Sequence, residues 1–112
     1  MIEIKPAKPC GKIEIPASKS QTIRAFLLAC FAKGKSIIRH PLISSDTISC
    51  IDAVKALGAK VEFSKDGSIC YVDSSVLNLR EEGITIDAGN SGTTEYLLLG
   101  LAASLGIPVT IT

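Results

Sequence analysis

Tryptophan is absent from this chain, and its aromatic residues are only three Phe and two Tyr. A core built without them must be aliphatic, which suits an α/β protein. Charge excess is also missing. Twelve Lys and Arg against eleven Asp and Glu leave a net charge of +1. Bulk charge therefore argues for neither nucleic acid nor a membrane surface as partner. One histidine, His40, stands between Arg39 and Pro41 and reads as a surface or packing residue. It leaves little room for a Ser-His-Asp set. The four cysteines, Cys10, Cys30, Cys50 and Cys70, form no C-x-x-C pair, and no Cys, His and carboxylate cluster has zinc spacing. Cys30 and Cys50 fall in helical patterns and read as small buried apolar residues. No signal peptide opens at Met1-Ile2-Glu3, so the expected location is cytoplasmic. The longest apolar run, Tyr96 to Val109, is broken by Gly100, Ser104 and Gly106 and is too short to span a bilayer.

What is present is a chain of 112 residues, 46% apolar, long enough for one small domain with a core. It is organised around Pro16-Ala17-Ser18-Lys19-Ser20-Gln21-Thr22-Ile23-Arg24-Ala25. The alternating segment Lys12 to Ile15 precedes this stretch, and the apolar run Phe26 to Ala32 follows it. Strand, turn and helix start is the expected order. A helix N-terminus offers free N–H groups and the positive end of the macrodipole, so it favours an anion. Ser18 suits the N-cap. Ser20 and Arg24, four apart, share one side of the helix, and Lys19 lies in the first turn. One serine, one lysine and one arginine there suit a phosphate or carboxylate. The same residues also fit a capped surface helix with solvated cations.

Along the chain, strands are expected at Met1–Lys5 and Gly11–Ile15, a helix from Lys19 to Ala32, and a strand over Ser36–Arg39. Ser44-Ser45-Asp46-Thr47 is an N-cap cluster, and Asp46 reads either as a cap or as a residue facing the site. After it, Ile48, Ile51, Val54 and Leu57 recur at three-residue steps and predict one apolar helix face, closed by Gly58. Ala59–Ser64 and Ser68–Val72 flank the Asp66-Gly67 hairpin signal. Residues 13–72 thus read β-α-β-α-β-β. Asp73–Glu82 is a polar loop. Gly83–Asp87 is a strand, a helix runs to about Leu105, and Pro108–Thr112 is a last strand.

Sliding the sequence by 71 residues superposes Ile13, Ile15, Ala17, Ser20, Thr22, Leu27, Leu28 and Ala32 on Ile84, Ile86, Ala88, Ser91, Thr93, Leu98, Leu99 and Ala103. That makes eight identities over twenty positions, where chance gives about one or two. The domain organisation expected is one partial domain over 1–112: a leading segment 1–12, a full unit over 13–72, and the first half of a second unit from 83 to 112. The fold class is α/β, of the α+β type. The repeat makes Gly89-Asn90-Ser91-Gly92-Thr93 the counterpart of Ala17–Ser20. Both are small polar helix mouths, and the glycines let a ligand approach the backbone. Spacing excludes G-x-G-x-x-G and the P-loop.

These residues also carry a family resemblance. Pro16 to Ala25 resembles the P-G-S-K-S-x-S-x-R-A signature of EPSP synthases, the 3-phosphoshikimate 1-carboxyvinyltransferases. Leu42-Ile43-Ser44-Ser45-Asp46-Thr47 is similar to their L-x-S-x-D helix start, Ala56-Leu57-Gly58-Ala59 to A-L-G-A, and Gly89 to Thr94 to G-N-[AS]-G-T-[AT]. The resemblance covers nearly the whole chain and about the first quarter of a typical family member, which has two domains of three β-α-β-α-β-β units. It implies transfer of the enolpyruvyl group of phosphoenolpyruvate to the 5-hydroxyl of shikimate 3-phosphate. The route is a tetrahedral intermediate with release of phosphate, and neither metal nor organic cofactor takes part. It implies that Lys19 touches both substrates, that Ser20 and Arg24 hold shikimate 3-phosphate, and that the Gly92 N–H binds phosphoenolpyruvate. Asn90, Thr93 and Asp46 would support them.

Three departures stand out. Ala17 replaces the usual Gly, Ile23 stands where Asn or His is common and so removes one polar group beside the site, and Glu95-Tyr96 stands where Met-Arg is usual. The related UDP-N-acetylglucosamine enolpyruvyl transferases typically carry Lys-Asn where this chain has Lys19-Ser20. A non-catalytic anion-binding or assembly module is the alternative of another class. The chain looks cut in mid-architecture. It is expected to need the remaining enzyme domain to complete the site, to be inactive alone, and to be prone to self-association.

Overall fold

The computed structural model describes all residues 1–112. Three helices and five strands follow in the order α1 (Lys19–Phe31), β1 (Lys35–Arg39), α2 (Ser45–Ala56), β2 (Lys60–Phe63), β3 (Ile69–Asp73), β4 (Ile84–Ile86), α3 (Gly92–Ala102) and β5 (Val109–Ile111). The fold is mixed α/β.

Each helix begins where a hydroxyl can satisfy a free N–H. Ser18 is extended and accepts from the Gln21 N–H at 3.3 Å. The Thr22 hydroxyl donates to the Ser18 carbonyl at 2.8 Å and accepts from the Leu42 N–H at 3.1 Å, tying the start of α1 to the segment before α2. Ser44 and Thr47 form a reciprocal capping box on α2. Ser91 caps α3 by accepting from the Thr94 N–H at 3.3 Å. Beyond α2 the chain turns at Gly58, where φ is +102° and a Cβ would lie 2.2 Å from the Asn78 nitrogen. Only glycine fits there.

Strands β1, β3 and β2 form one antiparallel sheet in that order, with Ile37 opposite Tyr71 and Val61 opposite Val72. Strands β4 and β5 pair in parallel, Ile84 with Val109 and Ile86 with Ile111. The β2–β3 hairpin turns at Asp66-Gly67. The Asp66 carboxylate there accepts from both Ser64 and Ser68 hydroxyls at 2.8 Å and from the Ser68 N–H at 3.0 Å. The Ser68 N–H and hydroxyl, followed by Ser64, lower the Asp66 pKa to about 2.

Ile23, Phe26, Leu27 and Cys30 of α1, Cys50, Ile51, Val54 and Leu57 near α2, Cys70 and Val72 of β3, Ile86 of β4 and Leu98 of α3 share one core. Three cysteines apart, the core is aliphatic, and Phe26 is its one fully buried aromatic. Burial pushes the thiols of Cys30, Cys50 and Cys70 up to about 11, so at neutral pH they are inert apolar groups. No helix is long and apolar enough to cross a membrane.

Three expectations are corrected. Met1–Lys5 and Gly11–Ile15 are not strands. A strand needs an edge to bond, and Ile2, Ile4, Ile13 and Ile15 instead lie exposed, with no backbone hydrogen bond from residues 1–17. This tail gives a radius of gyration of 17.2 Å, against roughly 13 Å for a compact chain of this length. The α2 face is also rotated: Thr47, Cys50, Ile51, Ala53 and Val54 are buried while Ile48 is 47% exposed. Finally, α3 ends at Ala102, followed by turns through Ser104 and Leu105.

Candidate functional site at three helix starts

Packing among the helices gathers their N-terminal turns. Lys19 opens α1 and Asp46 lies in the first turn of α2, and the Lys19 ammonium donates to Asp46 Oδ2 at 2.6 Å. Below them, the Cys50 thiol of α2 donates to the Ile23 carbonyl of α1 at 3.7 Å. Thr94 of α3 lies beside the same thiol, where its hydroxyl partly opposes the effect of burial on it. One buried cysteine thus touches the second turn of α1 and the first turn of α3. Above it, the loop before α3 lies against α2. A Cβ on Gly89 would come 2.6 Å from the Ser49 hydroxyl, and Gly89 holds φ at +56°. The Asp87 carboxylate accepts from the Gly89 N–H at 2.7 Å and tightens the turn.

Chemically, this end of the molecule is rich in donors. The first N–H groups of a helix lack intrahelical acceptors, and the positive dipole end adds to them. Gly92 is the first residue of α3 and is exposed, so its N–H is accessible. Lys19 is half-exposed. Ser20 and Arg24 follow on α1, Ser20 partly buried and Arg24 exposed. Arg24 also lines an open groove of about 410 Å³ with Leu27, Leu28, Tyr96, Leu97 and Leu101. No cluster of three or more His, Cys, Asp or Glu side chains is present to hold a metal.

Of the residues singled out in the sequence, Lys19, Ser20 and Asp46 come together at the α1–α2 start, with Arg24 one turn further along α1. Asn90, Gly92 and Thr93 form the mouth of α3 beside α2. Asp46 is not the cap, because Ser44 fills that place. Ile23 does not stand beside the site either. It is fully buried in the core, so the apolar residue there packs rather than removing a polar group. The two mouths are also offset. α1 and α3 end 71 residues apart, at Phe31 and Ala102, but begin 73 apart, at Lys19 and Gly92. The turn at Gly89-Asn90 delays the second start, so Ser18 and Ser91 are the structural counterparts. Tyr96 lies against Gly92, 3.9 Å from where a Cβ would be. Sequence reading missed Ser49, Cys50 and Thr94 as the residues that join the three starts. Only the helical spacing of Cys50 hinted at its position.

Three capped helices with their N-termini on one side of an aliphatic core define a mixed α/β chain with a donor-rich helix-mouth region. The family profile of EPSP synthase (3-phosphoshikimate 1-carboxyvinyltransferase) matches residues 4–112. A 3-phosphoshikimate 1-carboxyvinyltransferase of Acetivibrio thermocellus is 42% identical over 94 residues, 84% of this chain and 22% of the relative. Those of Chlamydia caviae and Staphylococcus haemolyticus are 39% and 41% identical over 98% and 96% of this chain, in each case 24% of the relative. The chain belongs to the EPSP synthase family. It spans roughly a quarter of the length of these curated relatives.

Proposed function

We propose that this chain supplies one wall of an enolpyruvyl-transfer site. Lys19, Ser20 and Arg24 hold shikimate 3-phosphate. Lys19 and the Gly92 N–H hold phosphoenolpyruvate, and Asn90 and Thr93 shape the loop. In the reaction the 5-hydroxyl oxygen of shikimate 3-phosphate bonds to C2 of phosphoenolpyruvate and loses its proton, while the C2=C3 π bond opens and C3 takes up a proton. The C2–O bond to phosphate then breaks, phosphate leaves with that electron pair, and C3 returns a proton, which restores the double bond and leaves the enolpyruvyl ether. The Lys19 ammonium offsets negative charge as the intermediate forms, and charge-assisted bonds from Arg24 and Lys19 hold the anions. The observation that carries this reading is the meeting of Lys19 with the start of α2 at Asp46, beside the glycine loop held against Ser49. Two anionic substrates need separate donor sets close together, and two neighbouring helix mouths supply them.

The reading extends to organisation and setting. Residues 13–72 correspond to one β-α-β-α-β-β unit and 83–112 to the first half of another, with Ile13 to Ile15 becoming a strand only on an edge supplied by further sequence. The rest of the site comes from the length that the relatives have in addition. Four unpaired cysteines support a cytosolic setting.

Calorimetric titration of the chain with shikimate 3-phosphate tests the proposal. Saturable binding that weakens at least tenfold in Arg24→Ala is expected, with no enolpyruvyl transfer by the 112-residue chain. A stable oligomer without binding favours the assembly module instead.

A further inference from the structure

The Lys19–Asp46 pair is the one salt bridge in the structure, and it links the first turns of α1 and α2. Asp46 is the more enclosed partner, 22% exposed against 49% for Lys19. Its carboxylate is not needed as a cap, because Ser44 and Thr47 already close the start of α2 with their capping box. By charge alone it is also out of place, since a carboxylate beside the lysine of an anion site repels the ligand. Two features offset that repulsion. The α2 macrodipole favours a negative charge in its first turn. The ammonium has three donors, and Asp46 engages one of them at 2.6 Å, leaving two for an anion.

We infer that Asp46 is the positioning residue for Lys19. It holds the end of a four-carbon side chain at the junction of two helix starts, so that binding an anion need not order that side chain afresh. Asp46 touches no substrate itself. This inference rests on the proposed role of Lys19 in holding shikimate 3-phosphate.

The sign of one substitution separates positioning from charge. Without Asp46 the lysine regains rotamer freedom that binding must remove, and lysine is among the costliest side chains to order. Asp46→Asn is therefore expected to weaken shikimate 3-phosphate binding by about three- to tenfold, and Asp46→Glu, which keeps the charge, to recover most of the loss. A charge-only role predicts tighter binding in Asp46→Asn.

A second measurement needs no ligand. With 15N-labelled lysine, the Lys19 ammonium signal, assigned by its loss in Lys19→Gln, should show restricted motion in the native chain. In Asp46→Asn it should become as mobile as the other lysines. Circular dichroism should show unchanged helix content in each variant, because the Ser44 cap is intact. Binding in Asp46→Asn that is equal or tighter overturns the inference. If the native chain does not bind shikimate 3-phosphate at all, the functional reading fails. The ammonium measurement then decides the positioning role alone: mobilisation supports it and an unchanged signal overturns it.

Discussion

A methyl group added at Gly89 probes how the loop before α3 is held against α2. The residue has φ +56°, and an added Cβ would sit 2.6 Å from the Ser49 Oγ and 3.4 Å from its Cβ. A side chain in the left-handed region costs about 1–2 kcal/mol. The Ser49 hydroxyl must also move, which breaks its bond to the Ser45 carbonyl at 3.1 Å, worth about 1 kcal/mol net. Gly89→Ala is therefore expected to destabilise the chain by about 2–3 kcal/mol, read by urea denaturation followed by circular dichroism. Ser49→Ala removes the obstructing oxygen. Added to Gly89→Ala it should recover about 1 kcal/mol more than it changes alone, a coupling measured by the double-mutant cycle. The backbone term should remain. A Gly89→Ala chain of native stability, or a cycle with no coupling, would refute the close approach of these elements.

Two further outcomes follow from the thiols and the hairpin. Cys10 is exposed while Cys30, Cys50 and Cys70 are buried, with burial raising the three to about 11. A thiol reagent at pH about 8, below that range, should label Cys10 rapidly and the other three only on unfolding; prompt labelling of a second cysteine in the native chain contradicts the packing. Asp66 should titrate near 2 rather than at its ordinary 3.8. A depressed carboxyl stabilises the fold above its unfolded value, and that contribution is lost as pH falls from 3.8 toward 2. A carboxyl carbon NMR titration reads the midpoint, and a value near 4 in the folded chain would show the hairpin bonds absent.

The helices and the second half of the sheet were legible because their signals are local. Ser18 and Ser44 mark helix starts by capping, and Asp66-Gly67 marks the β2–β3 turn. The tail was misread because alternation at Ile13 and Ile15 describes a strand's faces and says nothing about a partner edge. Both residues lie exposed instead. Ile48 matched the three-residue step of α2, but the wider buried face is centred on Cys50 and Val54. At the proposed site, the placing of Lys19, Ser20 and Arg24 along the first turns of α1 was legible from the Ser18 cap. The sequence left Asp46 open between capping and facing the site, because an acidic first-turn residue can cap its own helix or reach another. Only the packing of α1 on α2 places Lys19 within 2.6 Å of it. The contact of Gly89 with Ser49 joins residues forty positions apart, and no local pattern encodes it.

The most direct test of the central claim is the shikimate 3-phosphate titration followed by amide NMR. The account predicts saturable shifts concentrated at Lys19, Ser20 and Arg24 on α1, with smaller ones at the start of α2, and none along β2 and β3. Shifts confined to the sheet, or no saturable shift at all, would contradict it.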